Sequence, residues 1–177
     1  MNHNRTSILQ TKIPQLIRQF YDRVDQLVAP IAQMHAERMQ CRKGCHECCQ
    51  DELTVFEVEA LNIRETYPCL LSETPPHQQG KCCFLDENGS CRIYESRPYV
   101  CRTQGLPLRW IDEIDEDQLA EFRDICPLND SGQPVETLDP EDCWTLGPFE
   151  QELASMQVSL NGFPLRRVPL RSLFQQQ

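Results

Sequence analysis

The chain has 177 residues, a formal net charge of −10 and eleven cysteines. Its length suits one ordinary domain, which we expect to span residues 1–177. An excess of acidic over basic residues would repel a phosphate backbone and excludes nucleic acid as an expected partner. The sequence has no apolar run of the roughly 18 residues that a membrane helix needs, and no export signal is recognisable. We therefore expect a cytoplasmic protein with no membrane partner.

The cysteine content is the strongest anomaly in the composition, because it is several times the usual share. Disulfides are one explanation, but they persist in oxidising compartments, and an odd number cannot pair completely within one chain. A redox-active thiol relay is a second alternative. We favour metal ligation, because a cytoplasmic chain of this size does not need cystine bridges to fold.

The first predicted element is an amphipathic helix over residues 11–39, where apolar side chains recur at intervals of three and four. Thr11 is its predicted N-terminal cap. Pro14 lies in the first turn, where its missing N–H costs little, whereas Pro30 is predicted to kink or split the helix. The apolar face of this helix is expected to pack against the core.

A second helix is predicted after the first cysteines. Thr54 and Glu57 form its expected capping box, and Pro68 ends it. The segment KCCFLDENGSCRIYE then reads as a small β-hairpin, with Asn88 and Gly89 in its turn. These elements place most of the cysteines in loops between short regular segments.

The rest of the chain is predicted to be helix and loop. Residues 41–102 form the expected cysteine-cluster core, and residues 103–177 form a helical and loop C-terminal part. Three further helices are predicted: one that Ser96 caps and that carries Cys101, one from Asp115 through Ile125, and one from Phe149 that stops near Gly162. The predicted fold class is mainly α with a small β-hairpin, a compact cysteine-rich metal-binding domain of the α+β kind with few strands.

The first cysteine array reads C-x3-C-x2-C-C and consists of Cys41, Cys45, Cys48 and Cys49. Thiols separated by two or three residues can wrap a loop around one metal centre. Gly44 provides the backbone freedom that such a tight loop demands. Adjacent side chains usually point to different sides of the backbone, so a single centre does not necessarily hold both Cys48 and Cys49.

A second set of thiols follows, enough for a second four-ligand site or for completing the first. It comprises Cys82, Cys91 and Cys101, with Cys126 and Cys143 further along the chain. Cys69 and Cys83 are the expected spectators, because a buried free cysteine often behaves as a small hydrophobic residue. The role of Cys143 is left open. No metal role is expected for the four histidines, including His46 inside the first array.

These motifs resemble the YkgJ family of cysteine-cluster proteins, which are described as zinc- or iron-chelating and often as iron–sulfur proteins. The resemblance rests on the first array and on C-x-F-L-x3-G-x-C-x-I-Y-E-x-R-P-x2-C-R, which runs from Cys82 to Arg102. It implies the following metal ligands: Cys41, Cys45, Cys48, Cys49, Cys82, Cys91 and Cys101. We add Cys126 as a candidate ligand outside the matched part. Cys83 stands where the family commonly has proline.

Two arginines of the second motif, Arg97 and Arg102, are predicted to lie around the metal cofactor without binding it directly. Each is close in sequence to Cys101, and a guanidinium group near a thiolate cluster would offset its negative charge. The alternative is that either arginine simply pairs with a surface carboxylate of this acidic chain.

An all-thiolate ligand set favours an iron–sulfur cluster, with zinc as the alternative. The expected function is that of a metal-binding protein engaged in electron transfer or redox chemistry. The alternatives are a zinc-binding structural or interaction protein and an iron–sulfur enzyme of the methyl-transfer type. The last alternative rests on resemblance to a flagellin lysine N-methylase, which has a related cluster. The first three cysteines are also spaced like those of radical S-adenosylmethionine enzymes, but the long first helix and the few strand-like runs argue against the barrel fold of those enzymes. No conventional catalytic set stands out, and the sequence identifies no protein partner.

Overall fold

The computed structural model describes residues 12–42, 44–115, 118–161 and 166–175. Over these residues the fold is α+β with few strands, as the sequence predicts. The helices are α1 (Ile13–Met34), α2 (Glu57–Thr66), α3 (Pro68–Glu73), α4 (Tyr99–Thr103) and α5 (Pro148–Asn161). The strands are β1 (Thr54–Phe56), β2 (Leu108–Asp115), β3 (Gln118–Asp124), β4 (Trp144–Thr145) and β5 (Arg167–Pro169). No described helix is long and apolar enough to cross a membrane.

Helix α1 is shorter than its predicted range of 11–39 and is not split. Pro14 lies in the first turn, as predicted, and the helix continues through Pro30 to Met34. Val28 and Ile31, on both sides of Pro30, pack against the core. This packing offsets the backbone hydrogen bond that a proline removes, so the predicted break does not occur. The predicted cap Thr11 lies outside the described residues.

Helix α2 begins at a different capping residue from the predicted one. Thr54 lies in β1, which pairs with β5 in antiparallel register, and is therefore not a cap. The Phe56 amide instead donates to the Glu59 carboxylate over 3.2 Å. Glu59 is buried and also accepts hydrogen bonds from the Tyr21 hydroxyl at 2.9 Å and from the Tyr99 amide at 2.8 Å. One carboxylate thus connects α1, α2 and α4.

Helix α4 carries Cys101, as predicted, but Ser96 does not cap it. Ser96 belongs to a separate 3₁₀ turn, Tyr94–Ser96, and the residue that precedes α4 is Pro98, which has no capping side chain. The Tyr99 amide at the start of α4 is satisfied by Glu59 instead. A buried carboxylate from another helix therefore takes the role expected of a local serine.

The predicted hairpin around the second motif is reduced to a turn. Its two arms meet in a single β-bridge between Leu85 and Cys91. The Asp86 carboxylate accepts the amides of Asn88 and Ser90, each over 2.8 Å. Because a side chain closes the turn, the chain reverses without extended strands.

The main hairpin lies elsewhere, where the sequence predicts a helix from Asp115 through Ile125. Strands β2 and β3 pair in antiparallel register, and β2 also pairs with β4 in parallel register. Trp110 stacks on Phe122 across the hairpin with ring centroids 5.7 Å apart. The helix prediction was wrong because β3 is rich in residues with good helix propensity, and cross-strand pairing overrides that local preference. The part beyond residue 103 is therefore not only helix and loop, although the predicted last helix is present as α5.

The described residues bury two main hydrophobic clusters. The first joins α1 and α5 with the start of β2 around Phe20, and the second surrounds Phe84 and includes Val168 of β5. Cys82 and Cys83 belong to the second cluster, with Cys49 and Cys91 packed against it. The cysteine-rich segments therefore lie where the two clusters face each other.

Candidate metal centre

A cavity of about 620 Å³ lies between the two hydrophobic clusters. Val28 and Leu106 from the first cluster line it, as do Leu53 and Leu85 from the second. Seven cysteines are also on its wall: Cys41, Cys45, Cys48, Cys49, Cys82, Cys91 and Cys101. The fold thus brings both cysteine motifs, which are far apart in sequence, to one cavity.

The first array forms a tight loop along the wall of this cavity. The Cys45 amide donates to the Arg42 carbonyl over 2.9 Å, and the Cys49 amide donates to the His46 carbonyl over 3.0 Å. Gly44 has a φ of +87°, a left-handed conformation that glycine adopts without strain. The backbone freedom predicted for Gly44 is therefore used.

The adjacent thiols of the array, Cys48 and Cys49, influence each other. A hydrogen bond from the Cys49 thiol lowers the pKa of Cys48, and the same interaction raises the pKa of Cys49. Such a pair shares one negative charge more easily than each thiol would carry its own. Whether one centre holds both cysteines stays a prediction.

The second motif is attached to the first by backbone bonds. The Cys82 amide donates to the Cys49 carbonyl over 3.0 Å, and the bridge between Leu85 and Cys91 returns the chain to the same cluster. Cys101 enters from α4. Burial raises the pKa of the Cys101 thiol, and the charges of Cys82 and Cys91 raise it further.

Cys126 is the one predicted ligand that does not line the cavity, although it lies close to Cys41. Asn129 connects them: its amide donates to the Cys126 carbonyl over 2.7 Å, and its side-chain Nδ2 lies 3.4 Å from the Cys41 sulfur. The same Nδ2 donates to the Gly105 carbonyl over 2.7 Å. Burial raises the pKa of Cys41, and the hydrogen bond from Asn129 partly offsets that rise.

Asn129 is a site residue that sequence reasoning missed. Its side chain is fully buried, and its Oδ1 also accepts the Gln40 amide over 2.8 Å. It lies in a segment predicted as polar loop, where asparagine is ordinary. No local signal in the sequence marks it, because its partners are about 90 and 24 residues away.

The remaining cysteines lie outside the cavity wall. Cys69 is exposed on α3, and Cys83 is buried in the second cluster, where its thiol donates to the Cys82 sulfur and so lowers the pKa of Cys82. Cys143 is buried with its sulfur 3.7 Å from Nη1 of Arg123. All eleven cysteines are among the described residues, and none is in a disulfide.

Arg97 lines the cavity beside the second motif. Its guanidinium stacks on the Tyr94 ring, 4.2 Å from the ring centroid. Burial raises the pKa of the Cys91 thiol, and the positive charge of Arg97 acts in the opposite direction. Arg97 is therefore placed to offset negative charge on the cavity wall.

Arg102 also lines the cavity, but most of its polar contacts are made elsewhere. Its guanidinium is 2.5 Å from the Asp25 carboxylate, donates to the Glu95 carbonyl over 2.7 Å and lies 4.1 Å from the Tyr21 ring centroid. These contacts agree with the alternative interpretation, in which the arginine pairs with a carboxylate. They also fix the end of α4 against α1.

Among the described residues, no three Cys, His, Asp or Glu side chains converge closely enough to hold one ion. The sulfurs instead line the wall of a space that is large on the scale of a single ion. A thiol changes position by rotation about its Cα–Cβ bond, so chelation here requires side-chain rotation. The donor set is all thiol, which suits either zinc or an iron–sulfur cluster.

Comparison with known proteins gives one match. Residues 40–127 match the model of the CxxCxxCC family, described as a "putative zinc- or iron-chelating domain". Three residues separate Cys41 from Cys45 in this chain, whereas the family name has two residues between its first two cysteines. No curated protein and no solved structure matches the chain. The match covers all eight predicted ligands, and the chain therefore belongs, through residues 40–127, to this family of zinc- or iron-chelating domains.

Proposed function

We propose that this metal-chelating domain holds an iron–sulfur cluster and serves electron transfer or another redox reaction. The observation that supports this best is the presence of seven thiols from two distant motifs on the wall of one cavity. The proposed ligands are the cysteines predicted from the sequence, with Cys126 at the margin. Thiolates are the usual ligands of iron–sulfur clusters.

The choice of iron over zinc rests on the shape of the site. A structural zinc site is a compact tetrahedron with sulfur about 2.3 Å from the metal. The sulfurs here surround a cavity of about 620 Å³ and do not converge in threes. A polynuclear cluster spreads its ligands over a larger volume than one ion does, which suits this spacing.

The wall between the thiols supports a redox role in two ways. Apolar side chains such as Val28, Leu53 and Leu106 limit access of water to part of the cavity. The charge of Arg97 offsets part of the negative charge that a thiolate-bound cluster would carry. Solvent exposure and nearby charge are two of the factors that set a cluster's reduction potential.

The direct test is anaerobic purification followed by visible absorption and by analysis of iron, sulfide and zinc. A brown protein with iron and acid-labile sulfide is expected, together with reversible bleaching on addition of a reductant. A colourless protein with stoichiometric zinc would contradict the proposal and select the zinc-binding alternative. A protein that takes up neither metal would contradict metal chelation by this chain.

A pair of cysteine variants tests the ligand assignment. Cys101→Ser should lose metal and cooperative unfolding, because metal binding and folding are coupled at such sites. Cys69→Ser is the matched control, since this thiol is exposed and lies away from the cavity. Full metal content in Cys101→Ser, or equal losses in both variants, would remove Cys101 from the ligand set.

A second candidate function is that of an iron–sulfur enzyme. The cavity volume falls in the range of about 300–1,000 Å³ that is usual for small-molecule sites, and part of its wall is apolar. Addition of S-adenosylmethionine to the brown protein distinguishes the two. A change in the cluster's electron paramagnetic resonance signal would favour the enzyme, and an unchanged signal with reversible reduction would favour electron transfer.

A further inference from the structure

We propose that the eight cysteines form two separate four-thiolate centres that meet at the peptide bond between Cys48 and Cys49. The first centre comprises Cys41, Cys45, Cys48 and Cys126. The second comprises Cys49, Cys82, Cys91 and Cys101. This inference rests on the proposed function, since it divides the same thiols between two metal sites, and four thiolates are the usual complement of both zinc and iron–sulfur sites.

The second centre is defined by contacts around the Phe84 cluster. The Cys82 amide donates to the Cys49 carbonyl, and the Leu85 bridge fixes Cys91 to the same turn. Cys49, Cys82 and Cys91 pack in one hydrophobic cluster, which does not include Cys48. Cys49 therefore groups with the second motif although it belongs to the first array in sequence.

Cys101 joins this group from the opposite wall. It lies on α4, which Glu59 holds through the Tyr99 amide. Cys101 lines the same cavity as Cys49, Cys82 and Cys91 and brings this group to four thiols.

The first centre is defined by Asn129. This residue binds the Cys41 sulfur through Nδ2 and the Cys126 carbonyl through its amide, so it fixes two segments of the chain that are 85 residues apart. Cys45 and Cys48 belong to the same loop as Cys41, and the Cys45 amide donates to the Arg42 carbonyl within that loop. Neither of them packs in the hydrophobic cluster that contains Cys49, Cys82 and Cys91.

The boundary falls between two adjacent residues. Cys49 packs in the Phe84 cluster, whereas Cys48 does not. Rotation of either thiol about its Cα–Cβ bond would direct the pair to different metals. A backbone of one peptide unit would then separate the two centres.

Metal stoichiometry of the unmodified protein is the first test. Stepwise addition of Co²⁺ to the metal-free chain should give thiolate-to-cobalt absorption that rises to two equivalents. The purified protein should likewise contain metal for two centres. Saturation at one equivalent, with metal for a single centre, would overturn the proposal while leaving metal chelation intact. No uptake at all would instead contradict the proposed function.

Variants from the two sets provide the second test. Cys126→Ser and Cys91→Ser should each lose about half of the metal, and the retained half should differ in its spectrum between them. Cys69→Ser should keep all of it. Retention of all metal in Cys126→Ser would overturn the division. Loss of all metal would also overturn it where circular dichroism shows a folded chain. Where a variant does not fold, the cobalt stoichiometry of the unmodified protein decides.

Discussion

Gly105 is the position where the structure leaves least room beside a proposed ligand. Its φ is +97°, and a Cβ there would lie 2.7 Å from the Cys41 sulfur and 3.3 Å from Nδ2 of Asn129. Non-bonded heavy atoms settle at about 3.5–4.0 Å, so a Gly105→Ala change would displace the sulfur by about 1 Å. The distance between a metal and its ligand atom deviates from its usual value by only about 0.2 Å. The side chains of both Cys41 and Asn129 must shift, so Cys41 should bind its metal less tightly.

The stability loss has two sources. Left-handed backbone costs a residue with a side chain about 1–2 kcal/mol, and overpacking adds about 1–3 kcal/mol. We expect a total of about 2–5 kcal/mol for Gly105→Ala. A substitution at Gly132 separates the backbone cost from the overpacking cost, because its φ is +81° and a Cβ there meets no atom within 4 Å. Gly132→Ala should lose only the backbone share, about 1–2 kcal/mol.

The assay combines urea unfolding of both variants with metal analysis. Gly105→Ala should unfold more easily than Gly132→Ala and should lose the metal of the first centre only. Gly132→Ala should keep its metal. The reasoning would be refuted if the two variants had the same free energy of unfolding and the same metal content, because contact with Cys41 would then have no consequence.

Two further predictions concern residues that hold loops of the site in place. Asn129→Asp keeps the acceptor for the Gln40 amide but replaces the donor to Gly105 and Cys41. We therefore expect the free energy of unfolding, measured in urea, to fall by about 2–4 kcal/mol. An unchanged unfolding midpoint would contradict this expectation. Asp51 binds Arg171 over 2.8 Å, and this hydrogen bond holds the pKa of the carboxyl below its usual range. Its stabilisation is therefore complete above the unfolded value of about 3.9 and is lost as the pH falls through the lower folded value. The stability difference between the unmodified protein and Asp51→Asn should shrink below about pH 4, and a constant difference down to pH 3 would argue against this ion pair.

The chemistry of the site could be predicted from the sequence because its signal is local. Closely spaced cysteines around Gly44 indicate a loop that wraps a metal, and the structure places that loop on the cavity wall. Asn129 and Gly105 could not be found in this way. They act on Cys41 through contacts made only in the folded chain, and neither residue type is unusual in a loop.

The secondary structure could be predicted where the pattern lies within one element, and not where pairing with a distant segment determines the structure. Helix α1 shows its apolar stripe in sequence and is present. Strand β3 has good helix formers, and only its pairing with β2 makes it a strand. Likewise, Thr54 has the right spacing for a cap but is taken up by pairing with β5. Local propensity was overridden by long-range pairing at both positions.

The two walls of the cavity are held in different ways, and this bears on how a metal would bind. Glu59 fixes α4 against α1 and α2 through three hydrogen bonds, and burial raises the pKa of its carboxyl. Cys101 is therefore positioned by the fold itself. The loop of the first array is connected to the rest mainly through Asn129 and the bond between Cys82 and Cys49. A metal would meet one wall already in place and one loop that adjusts to it, so the first array should gain most of its order on binding.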